Sequence, residues 1–476
     1  MNLTQLTALE AVNLLVNEKV SPVEMINAAA DHISKTDGVL NAVPTLCIDR
    51  ALKKAPQIMK KNKQIDNSSG WLGGLPIIVK DLHDVEGVRT TYGSTLYSDH
   101  VPENSDIMVE TLESNGAIVI GKSNTPEFGH GANTFNEVFG KTRNPWNPAA
   151  TCGGSSGGSA VALATGQAWL ATGSDLGCSL RTPSSFCSTV GLRPSPGRVA
   201  RGPTRLPYDN LCVQGPMARN VADVALMLDA MTGVHLGDPI SIPTPSISFF
   251  EASKKPSKLK RVAYSSDLNG LTPIDSEVSE ICKHAAEQIS ALDVVVEEAC
   301  PDLHDARNIF QVLRANQFVG DLGPIIEKDR SKVKKEVIWN LEEGYKLTAQ
   351  TLAEAERARG KLFDRIRKFF MKFDLLITPA TIVPPFDINN RYLEKVGDHT
   401  FPNYYDWYTI AYAITITSLP ALSLPCGFTK NGLPVGLQIV APPRGEASLL
   451  REAEKIERLF GIASQLPIKP KPSREL

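Results

Sequence analysis

Residues Cys152 to Arg181 read CGGSSGGSAVALATGQAWLATGSDLGCSLR, with four glycines and three serines at positions 153–159 and the run Asp175-Leu-Gly-Cys-Ser179 near the end. Glycine at that density lets backbone amides come close to a ligand, while serine hydroxyls stay inert unless a base activates them. Gly153-Gly-Ser155-Ser-Gly157 and Gly154-Ser-Ser156-Gly-Gly158 both satisfy the GxSxG pattern of a nucleophile elbow. An elbow needs a strand leading into the serine and Asp and His partners later in the chain. Here the lead-in Asn144-Pro-Trp-Asn-Pro is a proline-broken loop, and His235, His284, His304 and His399 lie in helical or loop segments without site context. The elbow reading is set aside.

A different base stands upstream. Leu75-Pro-Ile-Ile-Val79 reads as a short buried strand, and Lys80 ends it. Burial disfavours the ammonium form and brings a lysine toward neutrality, where it can deprotonate a hydroxyl near pH 7. The turn before Ser179 offers successive N–H groups, the arrangement an oxyanion hole requires. A second lysine motif is a decoy: Gly116-Ala-Ile-Val-Ile-Gly121-Lys122-Ser123 satisfies GxxxxGK[ST]. A helical period precedes its first glycine and the four residues between the glycines are strand-like, so no phosphate loop is expected.

The remainder of the chain sets the frame. With 476 residues, 42% hydrophobic and 21% charged, a sizeable core is expected; a net charge of −2 speaks against a nucleic-acid partner. Eight cysteines without a CxxC pair give neither a zinc ribbon nor a secreted disulfide framework, which points to free thiols in a reducing compartment. No signal-peptide pattern opens the sequence and no stretch approaches the ~20 apolar residues of a membrane span, so a cytoplasmic protein is expected.

Helical patterns over 22–38, 51–61, 106–115, 220–231, 276–292 and 446–460, with two long ones between 302 and 370, alternate with short apolar strands. Asn67-Ser-Ser-Gly breaks the pattern before the first buried strand. The alternation predicts an α/β fold: one large domain over 1–476 with a mixed central sheet covered by helices. A core over 70–200 is followed by a helical and α/β insertion over 240–400, expected to shape the substrate pocket. Aromatics gather between Arg391 and Tyr408, either as ordinary core or as the lining of a mouth.

Taken together, Lys80, GGSSGGS and DLGCSLR resemble the amidase signature family. The resemblance continues through Gly74–Asp81, Gly121–Glu127, Thr142–Asn147, Ser185–Pro194, Leu419–Pro425 and Gly432–Val440. It implies a Ser–Ser–Lys relay without metal or cofactor. Lys80 is the general base, Ser155, held on a cis peptide, is the bridge, and Ser179 is the nucleophile that forms an acyl-enzyme. The N–H groups of Leu176, Gly177, Cys178 and Ser179 would meet the oxyanion. Ser156 would add a supporting hydrogen bond, Asp175 and Arg181 would brace the turn, and the Gly129 carbonyl would contact substrate.

The implied partner is a small-molecule amide, aryl or hydrophobic, handled by a monomer or homodimer. A urethane-cleaving member, the glutaminase component of a glutamine-dependent tRNA transamidation complex and a non-enzymatic binding relative are the alternatives. Two departures stand out: Cys178 and Ser188 occupy positions where the family usually has glycine. A positive φ at 178 would cost a cysteine about 1 kcal/mol.

Overall fold

The computed structural model describes residues 1–62 and 69–471. Its strands are β1 (Thr45–Leu46), β2 (Pro76–Lys80), β3 (Ile118–Ser123), β4 (Phe135–Asn136), β5 (Gly140–Lys141), β6 (Leu170–Asp175), β7 (Val190–Arg193), β8 (Val213–Ala218), β9 (Arg261–Tyr264), β10 (Val295–Glu298), β11 (Leu375–Pro379), β12 (Lys395–Val396), β13 (His399–Thr400), β14 (Ala421–Phe428) and β15 (Pro434–Val440). Two small ribbons, β4–β5 and β12–β13, stand apart. The other 11 strands form one sheet in the order β1-β3-β2-β6-β8-β7-β14-β15-β11-β9-β10.

The sheet is mixed, as expected. β2 runs parallel to β3 and β6, while β8, β7, β14 and β15 continue it with antiparallel pairings. β2 and β3 are buried along their whole length, which their unbroken apolar runs anticipate for parallel strands covered on both faces. Because β2, β3 and β6 are parallel, Lys80, Ser123 and Asp175 end their strands on one edge of the sheet. In open α/β sheets the carboxyl ends of parallel strands are where ligands bind.

Two strands escape the sequence reading. β6 (LATGSD) and β8 (VQGPMA) lack an apolar run, and β8 carries a proline that argues against an interior strand. Pro216 is tolerated because the pairing of β8 with β7 reaches only Met217 and Ala218. Both strands are nevertheless fully buried between covering helices.

Helix starts follow the expected chemistry. Ser21 and Glu24 form a reciprocal capping box with Pro22 in the first turn. The helix ends at Leu40, however, not at Gly38: Asn41 takes the left-handed C-cap, and the Asp37 carboxylate accepts from the N–H groups of Ala42 and Val43. The region from 302 to 370 holds helices Ala306–Asp321, Gly323–Ile326, Lys335–Tyr345 and Ala349–Phe369 rather than two long ones. Pro324 interrupts the first, since proline supplies no N–H to carry the preceding helix on.

The GxxxxGK[ST] match is strand, with Lys122 inside β3. The break expected at Asn67-Ser68 lies outside the described residues. All eight cysteines are unpaired thiols. Among the described residues no helix is long and apolar enough to cross a membrane.

Candidate active site

The Gly/Ser run is packed tightly against its surroundings. The Gly154–Ser155 peptide is cis, and Ser156 then opens the helix Gly157–Ala164. A Cβ at Gly157 would lie 2.2 Å from Thr134 Oγ1, and one at Gly158 only 2.4 Å from the Asn124 nitrogen. These glycines let a helix touch neighbouring backbone. Ser159 fastens that helix to the sheet, its hydroxyl 2.7 Å from Ser123 Oγ and donating to Thr172 O at 2.8 Å.

Lys80 ends β2 with its ammonium nitrogen against this helix start. Nζ lies 2.7 Å from Ser155 Oγ, 2.9 Å from Ser156 Oγ and 3.0 Å from Ser174 Oγ. The side chain is fully buried, and among the described residues no carboxylate pairs with it. Burial therefore brings Lys80 down to about 7 from the ordinary lysine value, against a weaker opposing pull from Cys212, Asp175 and Cys178. A neutral amine donates two hydrogen bonds and accepts one, so three hydroxyls satisfy it without any counter-ion. Lys122 is equally buried but has a carboxylate, Asp81, at 3.4 Å, and donates to His83 O and Thr90 Oγ1. Two buried lysines thus sit on adjacent strands, and only one is left without an ion pair.

The turn after β6 is held from behind. Arg181 grips Asp175 through both carboxylate oxygens (3.1 and 2.9 Å) and also donates to Gly177 O, Ala411 O, Gln438 Oε1 and Thr415 Oγ1. Arg193 contacts the same carboxylate at 3.3 Å. Burial alone would raise the Asp175 carboxyl, but Arg181 and Arg193 outweigh it and hold it below its ordinary value. Asp175 in turn accepts from Leu180 N–H at 3.0 Å. Among the described residues the N–H groups of Leu176, Gly177, Cys178 and Ser179 find no acceptor. Unpaired backbone donors in succession are rare in folded proteins, and a site for negative charge explains them.

Cys178 is not among the positive-φ residues, so its side chain imposes no left-handed strain on the turn. It is buried in the apolar cluster that also holds Phe310 and Tyr408, does not line the cavity, and points its thiol at Gly154 O at 3.9 Å; that thiol is pushed up to about 12, by burial first. Ser188 is where the left-handed conformation falls, at φ 60° and ψ 35°.

Ser155, Ser174, Ser179, Leu176 and Gly129 share a cavity of about 720 Å³. Gly129 has φ 72°, where a side chain would be strained, and a Cβ there would lie 2.5 Å from Leu82 Cδ1 and 3.5 Å from Ser155 Oγ. The Ser179 hydroxyl has no hydrogen-bond partner among the described residues; the Lys80–Ser155 contact is formed and a Ser155–Ser179 contact is not. Among the described residues no cluster of three His, Cys, Asp or Glu side chains is placed to hold a metal ion.

Residues 24–450 match the amidase family. Over 471 residues the chain is 32% identical to an acylamidase of Rhodococcus erythropolis, covering 98% of each. The chain belongs to the amidase signature family. It is also 34% identical over 484 residues to the A component of the glutamyl-tRNA(Gln) amidotransferase of Moorella thermoacetica, covering 96% of this chain and 97% of that one. In fold it is similar to a bacterial aryl acylamidase of the amidase signature enzymes, with TM-score 0.90 at 23% identity over 99% of this chain and 100% of the other. The 6-aminohexanoate cyclic dimer hydrolase follows at TM-score 0.87 and 24% identity, covering 98% and 99%.

As a member of that family, this amidase is an amide-hydrolysing enzyme. The structure places Ser155 and Ser156 on Lys80, and puts Leu176, Ser179 and Gly129 on the cavity that Ser155 lines, beside the turn that Asp175 and Arg181 brace. Sequence reasoning missed Ser174, the third hydroxyl on Lys80, because it sits in the unrecognised strand β6. It also missed the cavity's aromatic side. Tyr404, Tyr405, Trp407 and Tyr408 are buried core around Phe310 and do not line the cavity. Tyr92, Tyr97, Phe128 and Phe318 line it instead. Tyr92, Tyr97 and His100 form a cluster with centroids 5.0–5.8 Å apart, and Phe128 joins Tyr97 at 6.3 Å.

Proposed function

We propose that this amidase hydrolyses a small aryl or hydrophobic carboxylic amide through an acyl-enzyme on Ser179. The observation that carries the reading is the fully buried Lys80, surrounded by three hydroxyls, with no carboxylate paired to it among the described residues and poised at about 7. In the proposed cycle neutral Lys80 takes the Ser155 proton as Ser155 takes the Ser179 proton, and Ser179 Oγ attacks the amide carbonyl. The Ser155–Ser179 link forms when Ser179 turns toward Ser155 on substrate entry; catalytic hydrogen bonds commonly tighten only in the bound complex.

The unpaired N–H groups of 176–179 then receive the oxyanion, at roughly 3–4 kcal/mol of transition-state stabilisation per well-placed donor. The proton returns through Ser155 to the leaving nitrogen, and water attacks the acyl-enzyme by the same relay. The aromatic side formed by Tyr92, Tyr97, Phe128 and Phe318 supports aryl and hydrophobic amides.

The likeness over nearly the full chain to the A components of tRNA amidotransferases supports a second reading, glutamine hydrolysis within a transamidation complex. A panel of aryl, aliphatic, peptide and carbamate substrates, with glutamine included, separates the two. Aryl amide turnover abolished in Lys80→Ala and Ser179→Ala is the expected result. Turnover surviving in both variants would overturn the relay, and activity confined to glutamine in the presence of partner proteins would favour the second reading.

A further inference from the structure

Two aromatic residues on the cavity wall hold backbone conformations that their side chains disfavour. Tyr92 has φ 51°, and Phe128 has φ 50° with ψ 22°. Left-handed backbone is uncommon for any residue with a Cβ and a true outlier for a bulky ring. Such conformations persist where the surroundings impose them, and they gather at ligand clamps.

Here the surroundings are a clasp between residues 91–94 and 125–129. Phe128 N–H donates to Tyr92 O at 2.7 Å, and the Ser94 hydroxyl donates to Glu127 Oε1 at 2.7 Å. Gly93 lies so close to the second segment that a Cβ would meet Thr125 O at 2.8 Å. The Tyr92 ring is fixed at its far end too, its hydroxyl donating to Asp84 Oδ1 at 2.6 Å. Tyr97 bridges the two rings, edge-on to Tyr92 at 5.0 Å and to Phe128 at 6.3 Å. All three are half-buried and line the cavity, so part of each ring is open to a ligand.

Position relates this clasp to the chemistry. Gly129 follows Phe128 directly, and a Cβ at Gly129 would lie 3.5 Å from Ser155 Oγ. The rings are therefore on the Ser155 flank of the cavity. In the proposed cycle Ser155 returns the proton to the leaving nitrogen, so that nitrogen lies within hydrogen-bond reach of Ser155 Oγ. The oxyanion points to the 176–179 turn, and a tetrahedral centre then directs its acyl substituent away from both. What meets Phe128 and Tyr92 is the amine half of the substrate. Rings approached edge-on or offset favour another ring over a saturated group of the same size.

We propose that Tyr92 and Phe128 are specificity-determining residues that hold an aromatic ring on the amine side of the scissile amide. The proposal rests on the reading of Lys80, Ser155 and Ser179 as an amidase relay. It assigns to this enzyme amides of aryl or arylalkyl amines in preference to amides of aromatic acids. Because the clamp is preformed, a ligand ring enters it without the protein rings having to be ordered first.

The test compares matched amides that differ only in phenyl against cyclohexyl. N-benzylacetamide against N-(cyclohexylmethyl)acetamide probes the amine side, and 2-phenylacetamide against 2-cyclohexylacetamide probes the acyl side. A methylene separates ring from reacting group in each, which keeps the intrinsic reactivities close. The expected result is a kcat/KM preference for phenyl of about tenfold in the amine pair and about one in the acyl pair. Phe128→Leu and Tyr92→Leu each lower the amine-side preference at least about threefold, whereas Tyr92→Phe, which keeps the ring, retains it. Leucine is no more strained in left-handed backbone than phenylalanine, so Phe128→Leu removes the ring and leaves the turn even where Tyr92→Leu fails to fold.

An acyl-side preference that equals or exceeds the amine-side one, no preference in either pair, or one that persists in the folded leucine variants would overturn the clamp. If no amide is hydrolysed the amidase reading fails by itself, and calorimetry with benzylamine against cyclohexylmethylamine then decides the clamp. Tighter benzylamine binding that Phe128→Leu abolishes supports it, and equal binding overturns it.

Discussion

In the proposed relay Lys80 acts as a base only when neutral, and burial brings it to about 7. Below that value the protonated fraction dominates, so log(kcat/KM) is expected to rise with a slope of about one up to pH 7 and to level off above it. A rate profile with its inflection near pH 10, as for an exposed lysine, would show that burial does not set the base. The two departures from the family's glycines behave differently at this scale. Cys178 has no positive φ and stays off the cavity, so Cys178→Gly is expected to leave kcat/KM within about tenfold. Ser188 does hold a left-handed conformation, so Ser188→Gly is expected to stabilise the fold by about 1 kcal/mol, read as a rise in denaturant midpoint. Lys80 and the turn before Ser179 stand out in the sequence for a physical reason, a lysine ending an apolar run and a turn of successive N–H groups, whereas Ser155 is singled out by the family resemblance. Which glycine position needs φ > 0 was not legible, since that depends on how the helix Arg181–Cys187 ends against β7.

Among the elements, the helix Gly157–Ala164 does most to aim the site, because Ser155 and Ser156 lead straight into it. Gly158 lets it touch β3: an added Cβ would meet the Asn124 nitrogen at 2.4 Å and Ala42 O at 2.6 Å, both backbone atoms that cannot turn aside. Gly158→Ala is therefore expected to destabilise by about 3 kcal/mol. The same push displaces Ser155 from Lys80, and a shift of about 1 Å costs on the order of a hundredfold in kcat. Loss of stability without loss of kcat in the folded fraction would separate the two roles. The sequence reading of elements succeeded where an apolar run or a cap carried the signal, as at β2, β3 and the Ser21–Glu24 box. It failed at β6 and β8, whose Gly, Ser and Pro residues are strand breakers in isolation and become strands because neighbouring strands and covering helices bury them. Ser174, on the first of those strands, stayed invisible for the same reason.

At the scale of the whole molecule, two large apolar clusters flank the 175–181 turn, with Leu180 in one and Cys178 in the other. The first runs along the sheet from β2 to β15, and the other is built on Phe310, Tyr405, Trp407 and Tyr412. The aromatic run 404–408 looked from sequence as able to line a mouth as to fill a core; its place was fixed only by helix Ala306–Asp321 packing across it. Phe310 stacks on Tyr412 with centroids 4.1 Å apart and planes 1° from parallel. Its ring edge and Tyr408 also back the Gly177 position, where an added Cβ would meet Tyr408 Cε2 at 2.9 Å and Phe310 Cζ at 3.6 Å. The second core is thus the floor on which the 176–179 turn rests. Phe310→Ala is expected to cost about 3–5 kcal/mol, seen as a lower denaturant midpoint at unchanged slope. It is also expected to lower kcat more than it raises KM, because in the proposed cycle the turn binds the transition state rather than the ground-state amide. Phe310→Leu restores most of the volume and should recover both quantities together. If stability falls while kcat is untouched, the turn is held by Asp175, Arg181 and Arg193 alone, and the aromatic cluster serves only as core.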